Sequence, residues 1–293
     1  MTIGERKIMG SMQRREGRNI VGYKGILQAI ADGEKLIIKE MIERIGSERI
    51  GLYIGPIIIF IISLYPYMLI EYSRGIVIKE SNIGIIIILG IMGIGIYGVI
   101  IGGWSGNSKY GYMGGIRSTA QMISYEIGLG IIIIGIIMCN GSLDIQEIIN
   151  SQRRIWNIIG LLGIGIIVMI IGLAETNRAP FDLPEAESEL TAGFMTEHSG
   201  AKFAYYFLGE YSSIIFMSIM FSILLLGGPG TTKYIILNGI ILGIKVSLIL
   251  IVFIWVRASY PRMRYDQLIK LMWKKILPQI LGIIVIIPSI IIK

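Results

Sequence analysis

The chain has 293 residues and a net charge of +7, and 54% of its residues are hydrophobic whereas only 16% are charged. Soluble domains carry about a quarter charged residues, so this composition excludes an ordinary soluble domain and predicts a polytopic membrane protein. The single cysteine, Cys139, excludes a disulfide framework and a Cys-held iron–sulfur or zinc site, and the single histidine, His198, excludes a multi-His haem or metal site. We therefore expect no redox cofactor in this chain.

The N-terminal segment, 1–49, is polar and basic and lacks the apolar core and cleavage site of a signal peptide. Within it, GYKGILQAIADGEKLIIKEMIERI (22–45) places apolar residues at roughly helical spacing with charges between them. This pattern predicts one or two amphipathic helices lying at the membrane interface. We expect two parts: this inner-face amphipathic segment, 1–49, and a transmembrane bundle, 50–293.

Seven apolar runs reach the length of about 20 residues that is needed to cross a bilayer. Because backbone polar groups in lipid must pair within their own segment, the runs are expected to be helices. The predicted fold class is an all-α transmembrane helix bundle with amphipathic helices at its inner face. The predicted spans lie near 50–70, 83–103, 119–139, 155–174, 203–227, 235–256 and 276–292.

The orientation follows from the distribution of the 27 Lys and Arg residues, most of which fall in alternate connections. The positive-inside rule places the N-terminus, the loop near 175–202 and the loop 257–275 together on the cytoplasmic or matrix side. No long internal repeat is visible, which argues against an inverted-repeat transporter. The strong bias to isoleucine suggests an AT-rich genome, so we expect a multi-pass protein of the mitochondrial inner membrane, with a bacterial plasma membrane as the alternative.

The segment 174–200, AETNRAPFDLPEAESELTAGFMTEHSG, holds six carboxylates between two apolar runs: Glu175, Asp182, Glu185, Glu187, Glu189 and Glu197. Glu126 and Glu210 lie inside neighbouring apolar runs. A charge at the bilayer centre costs about 2.5–3.5 kcal/mol, so such residues predict an ion or proton path. For 185–197 alone, a solvated acidic loop that docks on a basic partner is the alternative.

Four islands of sequence share one resemblance. They are ERKIMGSMQRREGRNIVGYKGILQAIADGEKLIIKE (5–40), WSGNSKYGYMGGIRSTAQMISYE (104–126), the acidic segment followed by LGEY (208–211), and WVRASYPRMRYDQLIKLMWKKILP (255–278). In this order they resemble the quinone-chamber membrane subunit of respiratory complex I, the NADH dehydrogenase subunit 1 family. The resemblance implies a membrane subunit of proton-pumping NADH:ubiquinone oxidoreductase that contains no redox centre of its own.

The resemblance also implies roles for individual residues. A quinone headgroup needs an apolar slot with a few donors at its end, and cations stabilise the negative charge that develops on reduction. The expected quinone-chamber residues are Arg6, Met12, Arg15, Asp32, Lys35, Arg178, Asp182, Phe207, Arg257, Arg262 and Arg264. The expected proton path, which couples quinone reduction to proton translocation, is Glu126, Glu175, Glu185, Glu187, Glu189 and Glu210.

Quinone is the implied substrate, and FMN and iron–sulfur clusters are expected only in partner subunits. The implied partners are peripheral iron–sulfur quinone-site subunits, small membrane subunits and antiporter-like subunits, together with membrane lipid; no nucleic acid is expected. The chain departs from the family in two ways. Arg18 stands where the family usually has proline, and only four residues precede Glu5, where the family has a first helix. In this interpretation that helix is either dispensable or supplied by another chain. We expect a separate polypeptide to supply that helix.

Several alternatives remain open at this stage. The equivalent subunit of a membrane-bound hydrogenase, or of another donor dehydrogenase, shares the glutamate pattern, and a stand-alone cation transporter is a more distant possibility. Lys245 interrupts the sixth apolar run and is expected to pair with an intramembrane Glu. Tyr125 could extend the proton path or simply pack. His198 and Cys139 are interpreted as packing or interface residues, and Lys270, Lys274 and Lys275 as anchors at the lipid phosphates.

Overall fold

The structure is a computed structural model, and it describes residues 1–42, 46–73, 75–183, 193–230 and 234–291. Throughout these ranges the chain folds into helices and connecting loops without a β-strand, which confirms the predicted all-α class. The helices are α1 Thr2–Met12, α2 Gln28–Ile38, α3 Arg49–Leu64, α4 Gly84–Ser105, α5 Lys109–Asn140, α6 Ile145–Ser151, α7 Asn157–Gly160, α8 Leu162–Glu175, α9 Ala201–Leu226, α10 Ile235–Ser259, α11 Tyr265–Leu271 and α12 Leu277–Ile291.

Six helical stretches in the described part of the chain are long and apolar enough to cross a membrane: Arg49–Leu69, Gly84–Ser105, Lys109–Asn140, Ala201–Leu226, Ile235–Ser259 and Tyr265–Pro288. The predicted span at 155–174 is not one continuous helix. It is broken at Leu161 into α7 and the 14-residue α8. Glycines at 160, 163 and 165 weaken the helix at this point because glycine loses most conformational freedom on folding. The number of spans therefore stays a prediction.

The core lies where α5, α8 and α9 meet. Ile132 and Ile136 of α5, Ile171 of α8 and Ile223 of α9 are almost completely inaccessible to solvent. Of the long apolar helices, α9 has the largest buried share, 67%. Its central position explains how side chains of α9 can serve both the core and the functional site.

Loops from distant parts of the chain gather at one end of the bundle, which we call the polar end. The backbone amide of Met263 donates to the carbonyl oxygen of Pro180 at 3.0 Å, and that of Glu48 donates to Ser105 at the same distance. The amide of Ile42 donates to Oγ of Ser199 at 3.0 Å. These contacts assemble on one end the segments that the charge distribution predicts to share a side. Which membrane side this end faces stays a prediction.

The amphipathic segment is shorter than the sequence pattern predicts. Of 22–45, the stretch from Gln28 to Ile38 forms α2, which ends where Lys39 turns to extended backbone. Gly22 and Gly25 precede it with φ of 73° and 77°, a conformation that glycine adopts without steric cost. The helix exposes large apolar side chains, among them Ile37 and Ile38, as expected for a helix at a membrane interface.

The prediction that Lys245 pairs with an intramembrane Glu is wrong. Its Nζ donates to the carbonyl oxygens of Leu226 at 2.6 Å and Gly228 at 2.8 Å, and it lies 4.9 Å from the ring centre of Trp156. The last carbonyls of a helix lack intrahelical partners and carry partial negative charge. Lys245 therefore caps the C-terminal end of α9, at the end of the bundle opposite the polar end.

Candidate functional site

The centre of the polar end is Glu5, a carboxylate that is only 3% exposed. The hydroxyl of Tyr211 donates to Glu5 Oε2 at 2.6 Å, and the guanidinium of Arg257 forms a hydrogen-bonded ion pair with Oε1. Glu5 reaches these groups because α1 packs against α10. Buried charges are tolerated when they are paired and hydrogen-bonded, and Glu5 satisfies both conditions.

Arg178 connects Glu5 to a second carboxylate. Its Nη1 lies 3.6 Å from Glu5 Oε1, and its Nε lies 3.0 Å from Oε1 of Glu210. The ring of Tyr211 covers the guanidinium, with 4.5 Å between the ring centre and Cζ. Burial by itself would lower the pKa of Arg178, but the charges of Glu210 and Glu5 outweigh it and raise the pKa above its ordinary value. Glu5, Arg178, Glu210, Tyr211 and Arg257 form a compact unit, which we call the Glu5 cluster.

A second ion pair lies beside this cluster. Arg262 Nη2 donates to Asp182 Oδ2 at 2.9 Å, and the side chain of Asp182 is 14% exposed. The adjacent backbone contact between Met263 and Pro180 holds the 257–264 loop against the 176–183 loop. The two loops that the sequence assigns to a quinone chamber are therefore joined both by a charge pair and by main-chain hydrogen bonding.

A third group of charges joins α1 to α2. Asp32 accepts from Arg6 at 2.7 Å, from Gln28 at 2.9 Å and from Arg18 at 3.3 Å. Burial alone would raise the pKa of Asp32, but these hydrogen bonds and the two positive charges hold the pKa below its usual value. Arg18 adds an exposed partner to this carboxylate.

A cavity of about 130 Å³ lies between α3, α4, α5, α8 and α9, and we call it the central cavity. Its wall is mostly apolar, and its polar side chains are Ser63, Glu175, Thr176, Asn177, Tyr206, Glu210 and Ser213. A drug-sized ligand needs about 300 Å³ or more, whereas one water needs roughly 10–15 Å³. The central cavity suits a few waters better than a quinone headgroup with its tail.

The predicted proton-path carboxylates are divided by the structure. Glu175 and Glu210 both line the central cavity. Glu126 is half-buried on α5, faces Gly93 of α4, and lies close enough to Glu175 to interact with it electrostatically. Glu185, Glu187 and Glu189 lie outside the described residues.

Other predicted chamber residues lie at the rim. Arg15, Lys35 and Arg264 are exposed, as is Met12 at 41%. Within the described ranges no ion pair joins Lys35 or Arg264 to the Glu5 cluster, and Arg15 donates to Gln13. Phe207 is half-buried, and its ring packs edge-on against Tyr211 with 4.6 Å between centroids. The structure therefore places Phe207, but not these four, against the cluster.

The sequence analysis missed three buried polar residues, Glu5, Gln121 and Tyr206, and the half-buried Tyr211. Gln121 is fully buried, and its Nε2 donates to the carbonyl oxygens of Ala174 at 2.7 Å and Phe181 at 2.9 Å. A signal for Glu5 was present, because Met1, Glu5, Ile8 and Met12 follow one face of a helix. A carboxylate on an apolar helix face is expected to be buried and paired.

Tyr125, beside Glu126, is fully buried, and its hydroxyl donates to the carbonyl oxygen of Leu268 at 3.3 Å. This bond supports packing between α5 and α11. Among the described residues, no three His, Cys, Asp or Glu side chains are grouped so as to hold a metal ion.

Comparison with known proteins assigns the family. A family model described as NADH dehydrogenase matches residues 1–288. The chain is 45% identical to the NADH-ubiquinone oxidoreductase chain 1 of Mycosarcoma maydis, over 100% of this chain and 91% of the relative. It is 48% identical to the protein of that name in Dictyostelium citrinum, over 94% and 84%. It is also 44% identical to an NADH-quinone oxidoreductase subunit of Paramagnetospirillum magneticum, over 95% and 83%. With a match over nearly its whole length, the chain belongs to the NADH dehydrogenase family that this model describes.

Proposed function

We propose that this chain forms the membrane half of a quinone-binding chamber and an acidic path that couples quinone reduction to proton translocation. Its family makes it a membrane subunit of an NADH:quinone oxidoreductase. The chamber and the path are assigned from the contacts at the polar end. The relatives include mitochondrial-type and bacterial-type chains, so family membership alone leaves the choice between the two membranes open.

The observation that carries the proposal is the double position of Glu210. One of its oxygens pairs with Arg178 of the Glu5 cluster, while its side chain lines the central cavity together with Glu175. A change of charge near Arg178 therefore acts directly on a carboxylate of the cavity. This arrangement offers a short physical link between a reaction at the polar end and protons inside the bundle.

The cations at the polar end suit the reduction of a quinone. Arg257 and Arg262 lie on the loop side of α10, and each pairs with a carboxylate while keeping 29% of its side chain exposed. Fixed cations stabilise negative charge that develops on a substrate oxygen. Phe207 supplies apolar surface beside the Glu5 cluster, and Met12 supplies apolar surface at the rim, as the ring and tail of a quinone require.

The acidic path would run from Glu210 through Glu175 to Glu126. Moving one proton against 100 mV costs about 2.3 kcal/mol, so quinone chemistry must alter the energy of this path by at least that amount per proton. Glu185, Glu187 and Glu189 join the proposed path by sequence resemblance.

The remaining assignments follow from the same proposal. Quinone is the substrate, and FMN and iron–sulfur clusters reside in partner subunits. Peripheral iron–sulfur subunits complete the chamber at the polar end. Changes of charge along the acidic path act on the antiporter-like and small membrane subunits. The polar end, with the N-terminus, faces the matrix of mitochondria, or the cytoplasm if the source is bacterial.

The proton path is tested by Glu175→Gln in the intact complex in sealed membranes. NADH:quinone turnover and the resulting pH gradient should both fall by at least about tenfold, because a positioned proton carrier contributes 10²–10⁴-fold. Glu147→Gln on α6 is the matched control, since Glu147 is exposed and distant from the cavity lining. Full pumping by the Glu175 variant would refute the path.

The chamber is tested with a photoreactive quinone analogue and with Arg257→Gln. Label should appear on α1, 176–183 and 257–264, and the variant should show a raised KM for quinone. Arg153→Gln, an exposed arginine at the opposite end of the bundle, should keep the KM of the parent. Labelling confined to other segments would contradict the chamber assignment.

A further inference from the structure

His198 lies just beneath the surface of the polar end. It lies three residues before the start of α9 and is 6% exposed, whereas its neighbours Glu197 and Ser199 are half-buried and reach solvent. The loop around it is held in place by the hydrogen bond between the Ile42 amide and Ser199. The ring is therefore a single residue layer away from water.

The imidazole of His198 is buried without a satisfied ring nitrogen. Among the described residues, neither Nδ1 nor Nε2 makes a hydrogen bond of good geometry, although the Gly102 carbonyl lies near enough to the ring to raise its pKa. Leaving a buried polar atom unpaired costs about 1–3 kcal/mol, and such atoms in native proteins commonly bond ordered water. Nε2 lies 3.4 Å from the point where a Cβ on Gly102 would stand, so the ring is directed at the space above that glycine.

Tyr206 approaches the same space from the other side. It is 1% exposed, and its ring centre lies 4.8 Å from that of His198. Its hydroxyl lies against the Cβ point of Gly102 and donates at 3.4 Å, a long hydrogen bond, to the carbonyl oxygen of Gly98. Glycines at 55 and 102 leave the room for this hydroxyl between α3 and α4.

Tyr206 also lines the central cavity, which contains Glu175. Oε2 of Glu175 is another buried atom without a hydrogen-bond partner among the described residues. Unpaired polar atoms thus occur at both ends of one route: the His198 ring near the surface and the Glu175 carboxyl in the cavity. Tyr206 contacts the His198 ring and also lines the cavity that contains Glu175.

The charge state of His198 suits a relay. The pKa of His198 is lowered to about 4, because burial and, to a smaller extent, the charge of Lys202 outweigh the opposite effect of the Gly102 carbonyl. The ring is therefore neutral at pH 7, with one nitrogen as donor and the other as acceptor. A neutral imidazole can take a proton at one nitrogen and release one from the other.

We propose that His198 and Tyr206 form a proton-uptake branch that leads from the surface at Glu197 to the central cavity. His198 accepts a proton at one ring nitrogen and releases the proton of the other toward the Tyr206 hydroxyl. Tyr206 accepts it and releases its own phenolic proton to cavity water near Glu175. No side chain changes its net charge, and a ring flip restores the starting tautomer. This branch rests on the proposed function, because it supplies the same carboxylate path.

The test uses the intact complex in sealed membranes with His198→Ala, His198→Gln and Tyr206→Phe. Each variant should lower coupled NADH:quinone turnover by at least about threefold, since the relay is lost while water retains some transfer. Imidazole added to the His198→Ala membranes should restore turnover. 1-Methylimidazole should not, because it lacks the second exchangeable ring position. A native gel with NADH dehydrogenase staining checks that each complex is assembled.

The outcomes separate the two proposals. Parent-like turnover in all three variants, or a loss in His198→Ala that both imidazoles restore equally, would overturn the relay. A loss in His198→Ala without rescue, combined with a parent-like Tyr206→Phe, would show a packing role and overturn it as well. Full pumping by Glu175→Gln would instead overturn the acidic path itself. If His198→Ala fails to assemble, His198→Gln and Tyr206→Phe decide, and parent-like turnover in both overturns the relay.

Discussion

Replacing Glu5 by Gln should destabilise the polar end more than any other single change of charge there. The variant keeps the size of the side chain and removes the negative charge that Arg257 and Tyr211 contact. Removing one partner of a buried ion pair costs about 3–5 kcal/mol because the other charge stays buried and unpaired. Arg178 keeps Glu210 at 3.0 Å, and Arg257 is 29% exposed, so both retain some compensation. We therefore expect the lower limit, about 3 kcal/mol.

Because unfolding of a multisubunit membrane complex is irreversible, the assay is the rate of heat inactivation of quinone reductase activity in membranes. If the Glu5 cluster opens before inactivation, a loss of about 3 kcal/mol raises the rate constant by about 100-fold, at 1.36 kcal/mol per factor of ten. Glu16→Gln is the matched control, since Glu16 is an exposed carboxylate of the same N-terminal segment.

The control should change the rate by no more than about twofold, as surface substitutions lie within ±0.5 kcal/mol. Equal inactivation rates for Glu5→Gln and the parent would refute the argument, since a buried charge pair cannot lose one charge without cost. A double-mutant cycle with Tyr211→Phe should give a coupling energy of about 1.5–3 kcal/mol for the hydroxyl–carboxylate bond.

The same heat-inactivation assay checks three further predictions. Lys245→Met should cost about 2–3 kcal/mol, because two carbonyl oxygens at the end of α9 lose a charged donor. Gln121→Leu should cost a similar amount, about 2–4 kcal/mol, by leaving the Ala174 and Phe181 carbonyls unpaired. Since the pKa of His198 is lowered to about 4, the unfolded chain binds its proton first as the pH falls below about 6.5. Stability should therefore fall by about 1.4 kcal/mol between pH 7.5 and pH 5.5, and His198→Gln should remove this part of the pH dependence.

The sequence predicted the apolar helices because long runs of isoleucine with few charges have little alternative in a membrane. The sequence also predicted that Arg178, Asp182, Arg257 and Arg262 lie together. The positive-inside rule puts the two loops that carry them on the same side of the membrane. The sequence could not show which of these residues form ion pairs with each other. Whether Arg262 contacts Asp182 or Glu5 depends on how α10 and the 176–183 loop pack, and no spacing along the chain contains that information.

Glu5 and Lys245 show why local patterns do not identify the partners of a buried charge. Glu5 stands in a polar stretch beside two basic residues, and its burial arises from contact with helix α10, some 250 residues away. Lys245 was expected to pair with a carboxylate because a sequence shows acidic side chains but does not show which backbone carbonyl oxygens lack a partner. The unpaired carbonyls at the end of α9 are equally good acceptors, but every helix has them, and only the packing shows which helix end a lysine reaches.

The distances around Arg178 indicate which event at Glu210 releases enough energy to move a proton across the membrane. At an effective dielectric constant of about 20, a charge pair at 3.0 Å is worth about 5.5 kcal/mol and one at 3.6 Å about 4.6 kcal/mol. A shift of Arg178 between Glu5 and Glu210 therefore changes the energy by only about 1 kcal/mol. That is less than the 2.3 kcal/mol per proton at 100 mV.

Neutralising Glu210 removes the whole pair energy, which exceeds this requirement about twofold. We therefore expect protonation of Glu210, rather than movement of Arg178, to be the coupled event. Glu210→Asp keeps a titratable carboxyl and should retain proton pumping per NADH oxidised, even if turnover falls. Glu210→Gln keeps the length of the side chain and should abolish pumping. If the Gln variant pumps as well as the Asp variant, the charge on this residue is irrelevant, and coupling must instead pass through the position of Arg178.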